Sequence, residues 1–130
     1  VIVVDSSVWI SWFRGKHSRG VHALQSISDT DRILLGDIVL LELLQGARGD
    51  ANAARIERVM REFTIVGMVT TPLVVAAAAN YRRLRSRGIT IRATTDVIIA
   101  TYCIENDHEL LHEDRDFAPF ASHLGLKTIL

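Results

Sequence analysis

Five carboxylates recur where a folded chain would display them. Asp5 directly follows the apolar run Val1 to Val4 and precedes SSVWISWF. Glu42 is the lone charge in Ile38 to Gln45 (IVLLELLQ), Asp96 opens TDVIIATYCIE, and Asp114 and Asp116 stand in ELLHEDRDF. Hard divalent cations take oxygen ligands, and Mg²⁺ typically uses a few carboxylates together with waters and phosphate oxygens. Several ionised carboxylates at close range otherwise repel and raise one another's pKa. A cation removes that conflict, acidifies its bound water and orients a scissile phosphate. If these acids converge, the chemistry they suit is metal-assisted hydrolysis of a phosphodiester.

Each acid also has a plainer reading. Asp is a favoured N-cap, so Asp5 equally suits the start of a helix at Ser6 or Ser7. Glu42 lies in a helix that looks apolar nearly all round and therefore buried on most faces. A carboxylate there needs an Arg partner, a proton or a metal, and a structural salt bridge would serve. Asp96, after Thr94 and Thr95, suits the first turn of a helix as a dipole-stabilising carboxylate. Asp114 and Asp116 would also be at home in a solvated loop. No single acid decides between these readings; their coincidence across four segments favours the cluster.

Short β-branched runs alternate with longer helical patterns, which predicts βαβ units and a mainly parallel sheet. The strands expected are Val1 to Val4, Ile33 to Leu35, Thr64 to Val66, Glu109 to His112 and Lys127 to Ile129. Helices are expected at 6–13, 19–28, 37–46, 50–61, 72–87 and 95–105. Asp37 is a candidate cap for the third helix, Pro72 suits a first turn, and Gly88 suits a left-handed helix end. In an open parallel sheet the ligand crevice lies beyond the carboxyl ends of the strands. Asp5 and the Asp114 to Asp116 pair each follow an apolar strand and would meet at one sheet edge if those strands are parallel neighbours.

With 130 residues, 48% of them hydrophobic, the chain is expected to form one domain spanning residues 1–130. Fifteen basic and fifteen acidic residues cancel. No overall field therefore draws the protein to nucleic acid or anionic membranes, and any polyanion site must be local. All the basic residues except Lys16 and Lys127 are Arg, which suits bidentate contacts to phosphate. The lone Cys103 cannot form an internal disulfide; in VIIATYCI it reads as a buried structural thiol in a reducing compartment. No apolar run approaches the roughly 18 residues of a membrane span, so a cytoplasmic protein is expected.

The ordered set VIVVDSSVWI, the Glu of LLELLQG, TDVIIA and LLHEDRDF resembles the PIN domain, and within it the VapC-type ribonuclease toxins of bacterial toxin–antitoxin pairs. The resemblance covers nearly the whole chain. It implies a three-layer α/β/α sandwich around a mainly parallel sheet of four or five strands. It also implies a metal-dependent endoribonuclease that cuts tRNA or other structured RNA and is inhibited by a cognate antitoxin. Asp5, Glu42, Asp96 and Asp114 would match the family's acidic quartet binding Mg²⁺ or Mn²⁺, with Asp116 as a fifth carboxylate. The family alternates in which Asp of the later pair acts. Ser7 would match the hydroxyl residue that helps order the site.

Partners follow from the same resemblance. The antitoxin's apolar segment would lie across the toxin near its active site, and a homodimer is expected. Trp9, Trp12, Leu40 and Leu44 are candidates for either contact, although helical spacing of Val8, Trp9, Trp12 and Phe13 also suits core packing. Arg82, Arg83, Arg85, Arg87 and Arg92 form the densest basic stretch, either a solvated helix end or a set of RNA phosphate contacts. Arg115, between the two loop acids, could touch carboxylates or substrate phosphate. The five histidines show no zinc-like pairing.

Other functions fit less well. A haloacid-dehalogenase-type phosphatase would want D-x-D-x-[TV] at the first strand, where Ser7 holds the second Asp position. A receiver domain would want an acidic pair where only Asp5 stands. Neither explains Glu42. There is no phosphate-binding loop of the G-x-x-x-x-G-K-[ST] or G-x-G-x-x-G kind and no G-x-S-x-G elbow. A catalytically silent scaffold binding RNA or protein remains the non-enzymatic alternative.

Overall fold

Runs of Val, Ile and Leu without polar interruption make strands only when both faces of the sheet are covered, and such runs build the centre of this protein. The computed structural model describes residues 1–129. It contains strands β1 (Ile2–Val4), β2 (Ile33–Gly36), β3 (Thr64–Val66), β4 (Glu109–Leu111) and β5 (Lys127–Ile129). The helices are α1 (Ser6–Phe13), α2 (Arg19–Gln25), α3 (Asp37–Gln45), α4 (Asp50–Met60), α5 (Thr71–Ser86), α6 (Thr94–Glu105) and α7 (Ala118–Leu124). Short 3₁₀ turns occupy Thr30–Arg32 and Arg115–Phe117.

The sheet order is β3-β2-β1-β4-β5, with every neighbouring pair parallel. From β1 the chain moves one way, through β2 to β3. It then crosses back to β4 and moves the other way to β5. Right-handed crossovers in opposite directions put their helices on opposite faces. Helices α1 to α4 therefore cover one face and α5 to α7 the other, which gives the three-layer α/β/α sandwich. The direction reverses between β1 and β4. Parallel sheets open their ligand crevice at that switch point, beyond the carboxyl ends of the two strands.

The core sits on both sides of the central strands. Val3, Val4, Leu35, Leu110 and Leu111 are fully enclosed, as are Val39, Met60, Leu84, Ile99, Phe117 and Phe120 from the covering segments. The Asp5 N–H continues the β1–β4 ladder by donating to the Leu111 carbonyl at 2.9 Å. That bond pins the first acid beside the loop that carries the last two.

Several local expectations change. Helix α2 ends at Gln25, where the Ser26 hydroxyl turns back onto the Ala23 carbonyl at 2.6 Å. Gly36, not Asp37, is the N-cap of α3; Asp37 enters the first turn and its carboxylate accepts from the N–H groups of Ile38 (2.8 Å) and Met68 (3.0 Å). Helix α3 is not buried on most faces. Only Val39 and Leu43 are buried, and Leu41 is 49% exposed. Helix α7 has no counterpart among the expected elements; Phe117, Phe120 and Leu124 give its inward spacing, and Gly125, at φ 79°, ends it. Gly88 adopts the expected left-handed conformation, at φ 81°, just beyond α5.

Among the described residues no helix is long and apolar enough to cross a membrane. Leu110 is fully enclosed at the middle of the β1–β4–β5 pairing. Truncating it leaves a cavity in the enclosed sheet layer, so Leu110→Ala should cost about 2–5 kcal/mol, read as a lower urea midpoint at unchanged m-value.

Candidate metal centre

Three of the five acids meet directly. Asp96, Asp114 and Asp116 each offer a carboxylate oxygen, and these oxygens lie within 4.8 Å of one another. Asp96 enters from the first turn of α6 and is buried. Asp114 and Asp116 come from the loop after β4, where Asp114 caps the 3₁₀ turn by accepting the Asp116 N–H at 2.9 Å. Geometry does not force a choice between Asp114 and Asp116, because both carboxylates reach Asp96.

Asp5 and Glu42 border this trio. Asp5 is only 3% exposed and does cap α1: its Oδ2 accepts the Ser7 N–H at 3.0 Å and the Ser7 hydroxyl at 2.6 Å. Its other oxygen, Oδ1, is buried without a hydrogen-bond partner. Glu42 reaches in from α3 with Oε1 likewise buried and unpartnered. Arg14, Arg48 and Arg55 line the same cavity of about 370 Å³ as Glu42, yet none forms an ion pair with it. The salt-bridge reading of Glu42 thus finds no partner among the described residues.

The electrostatics follow from this crowding. Burial, then the Asp5 charge, raises Glu42, while the nearby hydroxyls of Ser6 and Thr95 pull it back. Burial raises Asp5 against the lowering effect of its Ser7 hydrogen bonds, with Asp114 adding to the rise. Asp96 is pushed up to about 7, by burial first and then by the charges of Asp5, Asp114, Glu42 and Asp116. None of the five acids is in an ion pair among the described residues. Relief comes from the amino-terminal ends of α1 and α6, whose positive dipole ends favour negative charge.

These residues fit a divalent cation. The donors are all oxygen, as a hard ion requires, and two buried carboxylate oxygens are left without partners where such groups normally find one. Asp96, Asp114 and Asp116 offer oxygens close enough to share one ion, and Asp5 and Glu42 border them.

Other expected residues fare differently. Ser7 joins the site, donating to Asp5 and accepting the Glu113 N–H at 3.0 Å. His112 accepts the Asp114 N–H at its Nδ1 (3.2 Å), which leaves the proton of the neutral ring on Nε2. Burial lowers its pKa against the pull of Asp5 and Asp114. Arg82, Arg83, Arg85, Arg92 and Arg115 are exposed and make no ion pair among the described residues. Arg82 and Arg85 border a cavity of about 420 Å³ between α5 and α6, and the Arg85 guanidinium lies 5.6 Å above the Tyr81 ring. Arg87 is diverted to His123, at 2.7 Å. Trp9, expected at a partner surface, is instead 1% exposed, because it packs inward on Trp12 and Phe63. Trp12, Leu40 and Leu44 are half-buried. Cys103 is enclosed, and burial pushes its thiol up to about 12, which makes it inert as a nucleophile.

Glu113 is a residue that sequence reasoning passes over. Its carboxylate accepts from the Ser11 hydroxyl (2.9 Å), the Gly20 N–H (3.0 Å) and the Ser18 hydroxyl. The available signal is indirect: Ser7 and Ser11, one turn apart, face the same side of α1.

A parallel α/β sandwich with carboxylates gathered at its switch point defines a class of α/β proteins suited to binding a divalent cation. Within it, the family model of the PIN domain matches residues 2–122, and the chain belongs to that family. Ribonuclease VapC11 of Mycobacterium tuberculosis is 28% identical over 130 residues, covering 98% of this chain and 97% of that protein. The fold is also that of VapBC2 from Rickettsia felis, solved bound to a DNA fragment from its promoter (TM-score 0.78, 15% identity, 98% of this chain and 96% of that one). A toxin–antitoxin complex from Klebsiella pneumoniae is similar too (TM-score 0.74, 18% identity, 100% and 97%).

In the metal-free protein the acids set the pH dependence of stability. The folded-state pKa of Asp96, about 7, lies above its ordinary 3.8, so between these values the folded state binds more protons than the unfolded one. The associated stability is complete below 3.8 and is lost as pH rises through about 7. Asp5 and Glu42, also raised, act in the same direction, and His112, lowered, acts in the opposite one. In EDTA the urea midpoint should be lower at about pH 8 than at about pH 5, and Asp96→Asn should flatten that slope. A midpoint that climbs across this range would contradict the crowding.

Proposed function

We propose that this protein is a divalent-metal-dependent endoribonuclease, the toxin of a toxin–antitoxin pair. The observation that carries the reading is the pair of buried, unpartnered carboxylate oxygens on Asp5 and Glu42 beside the Asp96, Asp114 and Asp116 trio. Such an arrangement is costly unless a cation occupies it. Membership of the PIN family and the likeness to ribonuclease VapC11 support RNA as the substrate.

When bound, Mg²⁺ or Mn²⁺ supplies Lewis acidity toward the phosphate and a more acidic water. The chain's own residues do the rest. Ser7 holds Asp5 by one oxygen and leaves the other free. Asp114 organises the turn that presents Asp116. The amino-terminal ends of α1 and α6 favour an anionic group at the site. Arg82, Arg83, Arg85, Arg92 and Arg115, exposed and without ion pairs among the described residues, take the RNA backbone. Hydrolysis by water leaves 5′-phosphate and 3′-hydroxyl ends and does not use the 2′-hydroxyl in the chemistry.

The antitoxin belongs to the same proposal. Ile10 (37% exposed), which lines the same cavity as Glu42, and Leu41 (49% exposed) give α1 and α3 an apolar outer surface, and Trp12, Leu40 and Leu44 are half-buried on the same two helices. An apolar segment laid there would reach the mouth of the metal centre. The lone buried thiol suits a reducing compartment, and we place the activity in the cytoplasm.

The test is incubation with structured RNA in Mn²⁺ or Mg²⁺. Cleavage should stop in EDTA and fall by at least about 100-fold in Asp5→Asn and Asp96→Asn, beyond the loss usual for residues behind the ligands. A 2′-deoxy substitution at the cut position should still be cleaved. Cutting that survives EDTA would sink the metal mechanism; RNA binding without cutting would favour a scaffold, and phosphate release from a small ester a phosphatase. Separately, replacing Arg82, Arg83 and Arg85 by Ala should weaken RNA binding and shrink its salt slope by about 0.7 for each phosphate no longer neutralised.

A further inference from the structure

We propose that Glu113 is a positioning residue for the metal centre: it clamps the loop bearing Asp114 and Asp116 onto α1 and α2. The proposal rests on the metal-nuclease reading for its consequence, though not for its geometry. Solvent reaches the residue, yet both carboxylate oxygens are engaged. One takes the Ser11 hydroxyl, from the buried side of α1; the other takes the Gly20 N–H and the hydroxyl of Ser18, the N-cap of α2. Its backbone N–H completes the tie by donating to the Ser7 hydroxyl, the group that also holds Asp5. A single residue thus connects the loop after β4 to the end of β1 and to two helices.

Two features distinguish this from an incidental surface contact. The fit is close on the α2 side, where a Cβ at Gly20 would overlap the Glu113 carboxylate. And the partners are neutral hydroxyls and a backbone amide, so the tie neutralises no charge and leaves the site as anionic as before. With both oxygens engaged, Glu113 is held out of the ligand set although it adjoins Asp114. Its effect on a metal is indirect, through the placement of its neighbours. Groups that orient metal ligands in this way typically contribute about 10–100-fold in affinity or activity.

The experiment compares wild type, Glu113→Ala, Glu113→Gln and the double variant Ser11→Ala/Ser18→Ala as full chains. Three readouts are taken: backbone ¹⁵N order parameters across residues 112–117 without metal, Mn²⁺ affinity by calorimetry, and RNA cleavage resolved into kcat and KM. In Glu113→Ala and the double variant the order parameters at Asp114 and Asp116 should fall from about 0.85 toward about 0.6. Mn²⁺ Kd should rise about 10-fold; kcat at limiting metal should fall, recover at high Mn²⁺, and leave KM for RNA unchanged. Glu113→Gln, which keeps one acceptor oxygen, should lie between. Wild-type order parameters and Mn²⁺ affinity in Glu113→Ala would overturn the proposal. If that variant does not fold, the double variant decides the matter on the same two readouts. A wild type that neither binds Mn²⁺ nor cuts RNA would refute the metal-nuclease reading, while the order parameters would still decide the clamp.

Discussion

Mutual repulsion among carboxylates that cannot move apart is the constraint to which the rest of this structure answers. Asp5 and Asp96 are buried, Glu42 keeps one oxygen from solvent, and no guanidinium or ammonium group among the described residues comes to meet them. Uncompensated charge of this kind opposes folding. The means of tolerating it are neutral: helix amino-terminal ends, the Ser7 hydroxyl, and partial protonation, of which the rise of Asp96 to about 7 is the plainest sign. A basic side chain would serve stability better, but on the proposed function it would occupy the place of the cation.

Tolerating that repulsion requires the backbone to hold the acids whatever their charges prefer, and the topology does so. Strands β1 and β4 lie side by side and parallel, so residues just past their ends, Asp5 and the 112–116 loop, cannot avoid each other. The Asp5 N–H to Leu111 carbonyl bond fixes their relative height. Helix α6 begins on the opposite face and delivers Asp96 from its first turn, and α3 delivers Glu42 from its second. Enclosed residues beneath the edge, among them Val4, Leu110, Leu111 and Phe117, provide the stiffness. The acids are therefore confined by the most enclosed part of the fold.

How much of this is legible in the sequence depends on whether the signal is local. Strand ends and helix starts are legible because β-branched runs and apolar periodicity write them directly, and Asp5, Asp96, Asp114 and Asp116 stand out by their place at those ends. Glu42 stands out as a charge among leucines, although the burial inferred from those leucines holds for only part of α3: Leu41 faces out. An apolar residue carries no mark saying whether the fold or a partner covers it. For the same reason the sequence leaves Trp9, which packs against Phe63, open as either a core residue or a partner contact. Helix α7 is hidden because a seven-residue helix carrying a proline in its first turn offers too few periods to count. The role of Glu113 is hidden because its partners, Ser11, Ser18 and Gly20, lie more than 90 residues away and come together only through the parallel pairing of β1 with β4.

The sequence also poses a choice that the structure dissolves. Asp5 reads either as a helix cap or as a ligand, and Asp114 either as a working acid or as part of a solvated loop. A carboxylate has two oxygens, each with its own capacity to accept. On Asp5, Oδ2 is spent on the Ser7 N–H and hydroxyl, and Oδ1 is left without a partner. On Asp114, Oδ1 takes the Asp116 N–H, and the residue still contributes an oxygen to the trio with Asp96. Capping is therefore no rival to the proposed ligation, because the hydrogen bond that satisfies one oxygen of a carboxylate restricts the direction of the other. This accounts for Asp rather than Glu at both strand ends, since the short side chain reaches the N–H two residues on while its second oxygen stays at the sheet edge. Glu42, arriving from the second turn of a helix with no cap to make, has a longer reach to cover and does so with a longer side chain.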